Sequence, residues 1–256
     1  MYGWRGRIGL MLPTGNSVIE PEFQRMASEG VTTHANRVEL KDVTPKSLLE
    51  MEADTERSAR QIAQTRVGVI AFGCTSGSFV GGPGYDDRLV AMIEDATGVP
   101  ATTTTTAVVR ALQLMGVERI ALAAPYTDEV TKLEVDYLQA NGFEVTNWQG
   151  GDIVATADIQ ECPPETSYQR ARSVDNDRAE AVFISCTGFR TIENIAKLET
   201  DLGKPVISSN QATFADCLRV LKVGEVSGKY GSLFDRLFAE QNLDASLSSS
   251  VGVAAQ

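Results

Sequence analysis

"VGVIAFGCTSGSF", residues 67–79, runs from a continuous apolar stretch into a glycine, a cysteine and a string of small hydroxyl residues. An apolar run this short, bounded by turn-forming residues, reads as a strand buried on both faces of a parallel sheet. The switch to Cys-Thr-Ser-Gly marks the carboxyl end of that strand, where a helix begins. The arrangement returns in "AEAVFISCTGF", residues 179–189. Other runs of the same kind are "RIGLML" at 7–12, "RIALAA" at 119–124 and "PVISS" at 205–209. Helical stretches of mixed charge fill the intervals, at 44–64, 85–98, 128–142 and 192–203, and several stop at glycine. Strand and helix alternate, which is the rhythm of an α/β fold.

The chain repeats itself. Beside the two Cys-Thr motifs, "RIGLMLPTGNSVIEPEF" and "RIALAAPYTDEVTKLEV" both open on Arg-Ile, pass a proline and a polar turn, and enter a helix. The expected architecture is two pseudo-symmetric open α/β domains with mostly parallel sheets and the active site in the interdomain cleft. Ligands in such sheets bind beyond the carboxyl ends of the strands, where both motifs fall. The expected division is residues 1–104 plus 210–244 against 105–209, with a flexible tail at 245–256. The five threonines at 102–106 read as a β-compatible strand exit and a helix cap rather than a binding loop. "GGPG" at 81–84 reads as a turn.

Composition narrows the function. The 256 residues are 43% hydrophobic and 22% charged, with a net charge of -11. A chain of this size and mix builds a sizeable core. Nucleic acid is excluded as a partner because phosphate binding needs a concentrated basic face. No stretch approaches the apolar length of a membrane span, and no secretion signal is recognisable, so a cytoplasmic location with reduced thiols is expected. Metal spacing is absent, and the single histidine, His34, is expected at the surface or a helix end. No GxGxxG or P-loop occurs, so no cofactor is expected.

Chemistry then rests on the cysteines. Cys74 and Cys186 each end an apolar strand and precede a helix N-terminus, whose amides and dipole favour a thiolate and lower the thiol pKa. Read singly, each is equally a small buried hydrophobe; the matched Cys-Thr pairs favour function. Cys162, before "PP", and Cys217, within "FADCLRVL", are assigned to a loop and to packing. Paired thiols across a cleft suit proton transfer or nucleophilic addition at a carbon next to a carboxylate. Thr75, Ser76, Thr187 and Gly188 offer hydroxyls and backbone N–H groups for the charge on that carboxylate.

"LPTGNSVIEPEF", "GCTSGSF", "PYTDEV", "SCTGFRT" and "GKPVISSNQATF" together resemble the aspartate/glutamate racemase superfamily, closest to its maleate cis-trans isomerase and arylmalonate decarboxylase group. The resemblance runs from about Arg7 to Lys222 and implies a cofactor-free enzyme acting on a small carboxylate. In isomerases of this kind, the first cysteine adds to the double bond of maleate and the second exchanges a proton at the adjacent carbon, roles that would fall on Cys74 and Cys186. Asn16 and Tyr126 match the residues that hold the carboxylates. On residue type alone, Asn16 is equally a turn residue and Tyr126 a loop aromatic. Arylmalonate decarboxylases share the Thr75-Ser76, Tyr126 and Gly188 positions but have glycine where Cys74 stands, so two thiols argue against a plain decarboxylase. The resemblance also implies a homo-oligomer. One departure is clear: the isomerases carry a further carboxylate-holding asparagine in the loop after the fourth strand, and "DIVATADIQECPPE" has none. Arg190 is expected to pair with Glu193 rather than with substrate. The leading expectation is conversion of maleate to fumarate; an amino-acid racemase, an arylmalonate-type decarboxylase and a non-catalytic carboxylate binder remain the alternatives.

Overall fold

The computed structural model describes the backbone of residues 1–253 and the side chains of residues 1–243. In the first half, β1 (Gly6–Pro13) leads through α1 (Ile19–Met26) to β2 (Val31–Val38). Helices α2 (Pro45–Glu50) and α3 (Glu52–Ala63) return the chain to β3 (Val69–Phe72). Then α4 (Thr75–Phe79) and α5 (Tyr85–Thr97) reach β4 (Ala101–Thr103). The four strands are parallel, in the order β2-β1-β3-β4.

Helix α6 (Thr104–Met115) carries the chain into the second half. There β5 (Arg119–Ala123), α7 (Asp128–Ala140), β6 (Glu144–Gln149), α8 (Thr156–Glu161), α9 (Pro164–Val174) and β7 (Ala181–Ile184) follow. Helix α10 (Ile195–Leu202) leads to β8 (Val206–Ser208), and the chain ends with α11 (Ser209–Leu221) and α12 (Ser232–Val253). This sheet is also parallel, ordered β6-β5-β7-β8, so the second half repeats the first strand for strand. Helices α6 and α11 each follow the last strand of a sheet, pack against each other, and touch both β4 and β8.

The apolar runs behave as buried central strands. Ile8, Leu10, Ile70, Leu122, Val182 and Ile184 are all inaccessible to solvent, and each such side chain contributes about 1.5–3 kcal/mol by leaving water. Edge strand β2 is buried only at its ends, Val31 and Val38, and β6 is half-buried or exposed throughout, so their polar sequences carry no apolar run to read. The threonine run divides as expected: Ala101–Thr103 form β4, the Thr103 hydroxyl accepts from the amide of Thr106, and Thr104–Thr106 open α6.

Several expectations need correction. The helix expected over 44–64 is two, α2 and α3, with the chain stepping at Met51 so that both Leu48 and Met51 are buried. The helix expected from residue 192 starts at Ile195, after a turn closed by the Asn194 amide on the Thr191 carbonyl. His34 is neither a surface nor a helix-end residue but lies half-buried on edge strand β2, its Nε2 3.2 Å from the Thr32 hydroxyl. The tail expected at 245–256 lies outside the residues whose side chains are described. No helix among the described residues is long and apolar enough to cross a membrane.

Candidate active site

The first thiol is placed by a close approach of two strands. Gly73 follows β3, and a Cβ there would lie 2.8 Å from Leu10 Cδ1 and 3.1 Å from the Met11 carbonyl. Only glycine lets β3 end against β1 so tightly. Cys74 then caps α4, its Sγ accepting from the Gly77 amide at 3.3 Å. The second thiol follows β7. Cys186 has φ +96°, a conformation that costs a non-glycine residue about 1–3 kcal/mol. Its Sγ accepts from the Gly188 amide at 3.4 Å.

The two thiol loops are tied across the halves. The Thr75 hydroxyl donates to Ser209 Oγ at 2.9 Å, and the same oxygen accepts from the Cys186 amide at 3.0 Å. The Thr187 hydroxyl donates to the Gly73 carbonyl at 3.1 Å and accepts from Asn16 Nδ2 at 3.0 Å. Asn16 Oδ1 meanwhile accepts from the Val18 and Ile19 amides, so Asn16 is both a turn-former and a wall of the site. These ties hold the strained Cys186 loop in register with the end of β3.

Cys74, Thr75, Ser76, Asn16, Tyr126, Cys186, Thr187 and Gly188 all line one cavity between the two halves. The sequence reading did not find the rest of its wall: Pro13, Leu40 and Val43 from the first half, and Thr156, Ile159 and Gln160 from α8. The α8 residues lie within "DIVATADIQECPPE", where their helical spacing is the available signal. None of the lining residues is charged. Arg190 lies outside the cavity and pairs with Glu193 at 3.4 Å. Among the described residues no cluster of His, Cys, Asp and Glu could hold a metal ion.

The cavity is narrow, with a volume of about 20 Å³, room for roughly one water molecule. A strap narrows it. The Val43 amide donates to the Val154 carbonyl, the Thr156 amide and hydroxyl donate to the Lys41 carbonyl, and the Ser17 amide and hydroxyl donate to Gln160 Oε1.

Enclosure reverses one electrostatic expectation. The Gly77 amide and Ser76 hydroxyl do favour a Cys74 thiolate, but burial outweighs them and pushes this thiol up to about 11. Burial also pushes Cys186 up to about 12, against the Tyr126 hydroxyl and the Gly188 amide and with the help of the nearby Cys74 and Glu134. A helix N-terminus lowers a thiol pKa only where the thiolate keeps some solvation. Both sulfurs therefore rest as neutral thiols. Burial holds Tyr126 well above its ordinary value too, so its phenol remains a donor.

A doubled parallel α/β fold with a thiol-lined cavity between its halves is the setting in which the comparisons fall. The family description of arylmalonate decarboxylase matches residues 8–234, and the chain belongs to that family. It is an enzyme of the isomerase or decarboxylase type. It is 28% identical over 240 residues to a maleate isomerase of Pseudomonas putida, covering 89% of this chain and 96% of that one. It is equally 28% identical over 232 residues to an arylmalonate decarboxylase of Bordetella bronchiseptica, with the same coverage. The structure of a cysteine-to-serine mutant of Nocardia farcinica maleate cis-trans isomerase, with a covalently bound succinylcysteine intermediate, superposes with a TM-score of 0.85. That pair is 27% identical, over 90% of this chain and 98% of the other.

Proposed function

We propose that the protein is a cofactor-independent cis-trans isomerase converting maleate, or a related cis-dicarboxylate, to the trans isomer through a covalent adduct on Cys74. The observation that carries this reading is that two thiols from the two halves line one uncharged cavity, each with a backbone amide on its sulfur. The related isomerase trapped with a succinylcysteine supports the covalent route. Asn16, the Thr75-Ser76 hydroxyls and first-turn amides, Tyr126 and the Thr187-Gly188 amides hold the carboxylates.

The steps balance with no co-reactant. Cys74 sulfur forms a bond to one alkene carbon, the neighbouring carbon takes the Cys186 proton, and the proton that Cys74 gives up returns to the Cys186 sulfur. The C=C bond becomes single and rotates. In the elimination the Cys186 thiol passes its proton to the departing Cys74 sulfur as the C–S bond breaks and takes back the proton from the carbon it protonated, so the trans alkene leaves with both thiols restored.

A specific observation favours a second reading. Pro13, Leu40, Val43 and Ile159 give the cavity an apolar side, which suits a substrate carrying an apolar group in place of the second carboxylate. The reaction would then be proton exchange or decarboxylation at the α-carbon of a substituted malonate.

Proton NMR of the enzyme with maleate in deuterated buffer containing reductant tests both readings. Fumarate is expected, and turnover in Cys74→Ala or Cys186→Ala should fall by about 10²–10⁴. Unchanged maleate, with deuterium entering an aryl- or alkylmalonate, would transfer the assignment to the second reading. Full activity in Cys74→Ala would end the adduct mechanism.

A further inference from the structure

Behind the Cys186 side of the cavity lies a carboxyl group that the steps above do not use. Glu134, on α7, is only 1% exposed. Its Oε1 is 2.6 Å from Ser185 Oγ, and its Oε2 is enclosed with no hydrogen-bond partner. Ser185 Oγ lies 3.5 Å from the Tyr126 hydroxyl, and Tyr126 stands beside Cys186 in the wall of the same cavity, where its hydroxyl favours the thiolate. Glu134, Ser185, Tyr126 and Cys186 thus form a line from the helix to the reacting sulfur.

A hydroxyl has one proton to donate, so the line has a direction. With Glu134 protonated, its O–H donates to Ser185, Ser185 donates to Tyr126, and Tyr126 donates to Cys186 Sγ. An ionised Glu134 can only accept. Ser185 then donates to Glu134, Tyr126 donates to Ser185, and the sulfur loses its phenol donor.

We propose that Glu134 is a positioning residue whose protonation state sets the direction of the Ser185–Tyr126 chain, and so decides whether Tyr126 donates to Cys186. The unpartnered Oε2 fits a neutral carboxyl, since a buried carboxylate needs donors on both oxygens. Burial pushes Glu134 up to about 8, so the chain points at Cys186 near neutral pH and reverses above it. The titratable groups facing Glu134 are Tyr126 and Cys186 along the line and Cys74 on the same cavity. Tyr137, one turn along α7, donates instead to Asp86 at 2.8 Å and lies outside the line. Tyr126 and both thiols are held higher than Glu134, which ionises first as pH rises.

The catalytic meaning of this device rests on the two-thiol reading above, whereas its effect on Cys186 does not. The test is the rate of Cys186 alkylation by iodoacetamide, followed by peptide mass spectrometry from about pH 6 to about pH 9.5. It compares the wild type, Glu134→Gln, Ser185→Ala and the double variant. Glutamine cannot ionise, and its amide nitrogen donates to Ser185, so Glu134→Gln holds the line in the forward direction. Equal rates are expected near pH 6. At about pH 9 Glu134→Gln should react about tenfold faster than wild type, one pKa unit being the effect of a neighbouring charge and a lost donor. With Ser185→Ala the line is cut, and adding Glu134→Gln should gain less than about threefold. Superimposable wild-type and Glu134→Gln curves would overturn the proposal. An undiminished gain in the Ser185→Ala background would also overturn it, because charge alone would then suffice. Should Glu134→Gln not fold, the bend near pH 8 in the wild-type curve must flatten in Ser185→Ala, and a retained bend refutes the chain. Separated alkylation curves with inert maleate would sink the isomerase reading and leave this one standing.

Discussion

Cys74 and Cys186 carry the same dipeptide on different backbones: the first caps a helix in extended conformation, the second stands at φ +96°. The placement of both at strand ends was legible because a strand-to-helix switch has a residue pattern. Their resting charge was not, because the depth of the cavity depends on segments far away in sequence. Ser185, Ser209 and Glu134 escaped for a related reason, since a buried hydroxyl or carboxyl announces itself only through the partner opposite it. Glu134 makes a prediction of its own. Its folded-state value of about 8 lies above the ordinary 4.5. Between those values the folded protein keeps a proton that the unfolded chain has lost. Its contribution is therefore full below about pH 4.5 and declines as pH rises to about 8. In Glu134→Gln this decline disappears, so wild type and variant should melt together near pH 5. At about pH 9 the variant should melt about 4 °C or more higher. Calorimetry at the two pH values checks the ordering.

At the scale of elements, the central strands β1, β3, β5 and β7 were readable because both faces are buried and nearly every side chain must be apolar. Edge strands β2 and β6, with polar residues along the open side, carry no such demand and were missed. The joint between elements is built from another buried carboxylate. Glu22 on α1 accepts from the Thr191 amide at 2.8 Å, the Ile192 amide at 3.3 Å and Asn210 Nδ2 at 2.7 Å, tying α1 to the turn before α10 and to α11. Asn210 also donates to the Thr187 carbonyl beside the second thiol. Removing the carboxylate strands these donors without water. Glu22→Ala should cost about 3 kcal/mol in urea unfolding, and it should lower activity although no atom of Glu22 lines the cavity. An activity unchanged at full folding would show that this joint does not position the Thr187 loop.

For the molecule as a whole, duplication was visible in the paired motifs, and the parallel sheets repeat it strand for strand. The strap from Ser17, Lys41 and Val43 to Gln160, Thr156 and Val154 was invisible, since it joins halves with no shared pattern. A cavity of about 20 Å³ cannot admit a four-carbon diacid without unfastening that strap. If opening limits turnover, kcat should fall as sucrose raises the solvent viscosity. Gln160→Ala, which releases the Ser17 bonds, should weaken that dependence; a kcat indifferent to viscosity would place the slow step in the chemistry. The buried pair of thiols has one more consequence. Thiolates attack peroxide and disulfides, and two sulfurs in one cavity can be joined as a disulfide once such an oxidant has modified either of them. Held neutral and largely buried, both are poor nucleophiles toward an oxidant, so the resting enzyme should withstand air better than the same residues would on an open surface. Its vulnerable moment is the opened state in which it accepts its substrate.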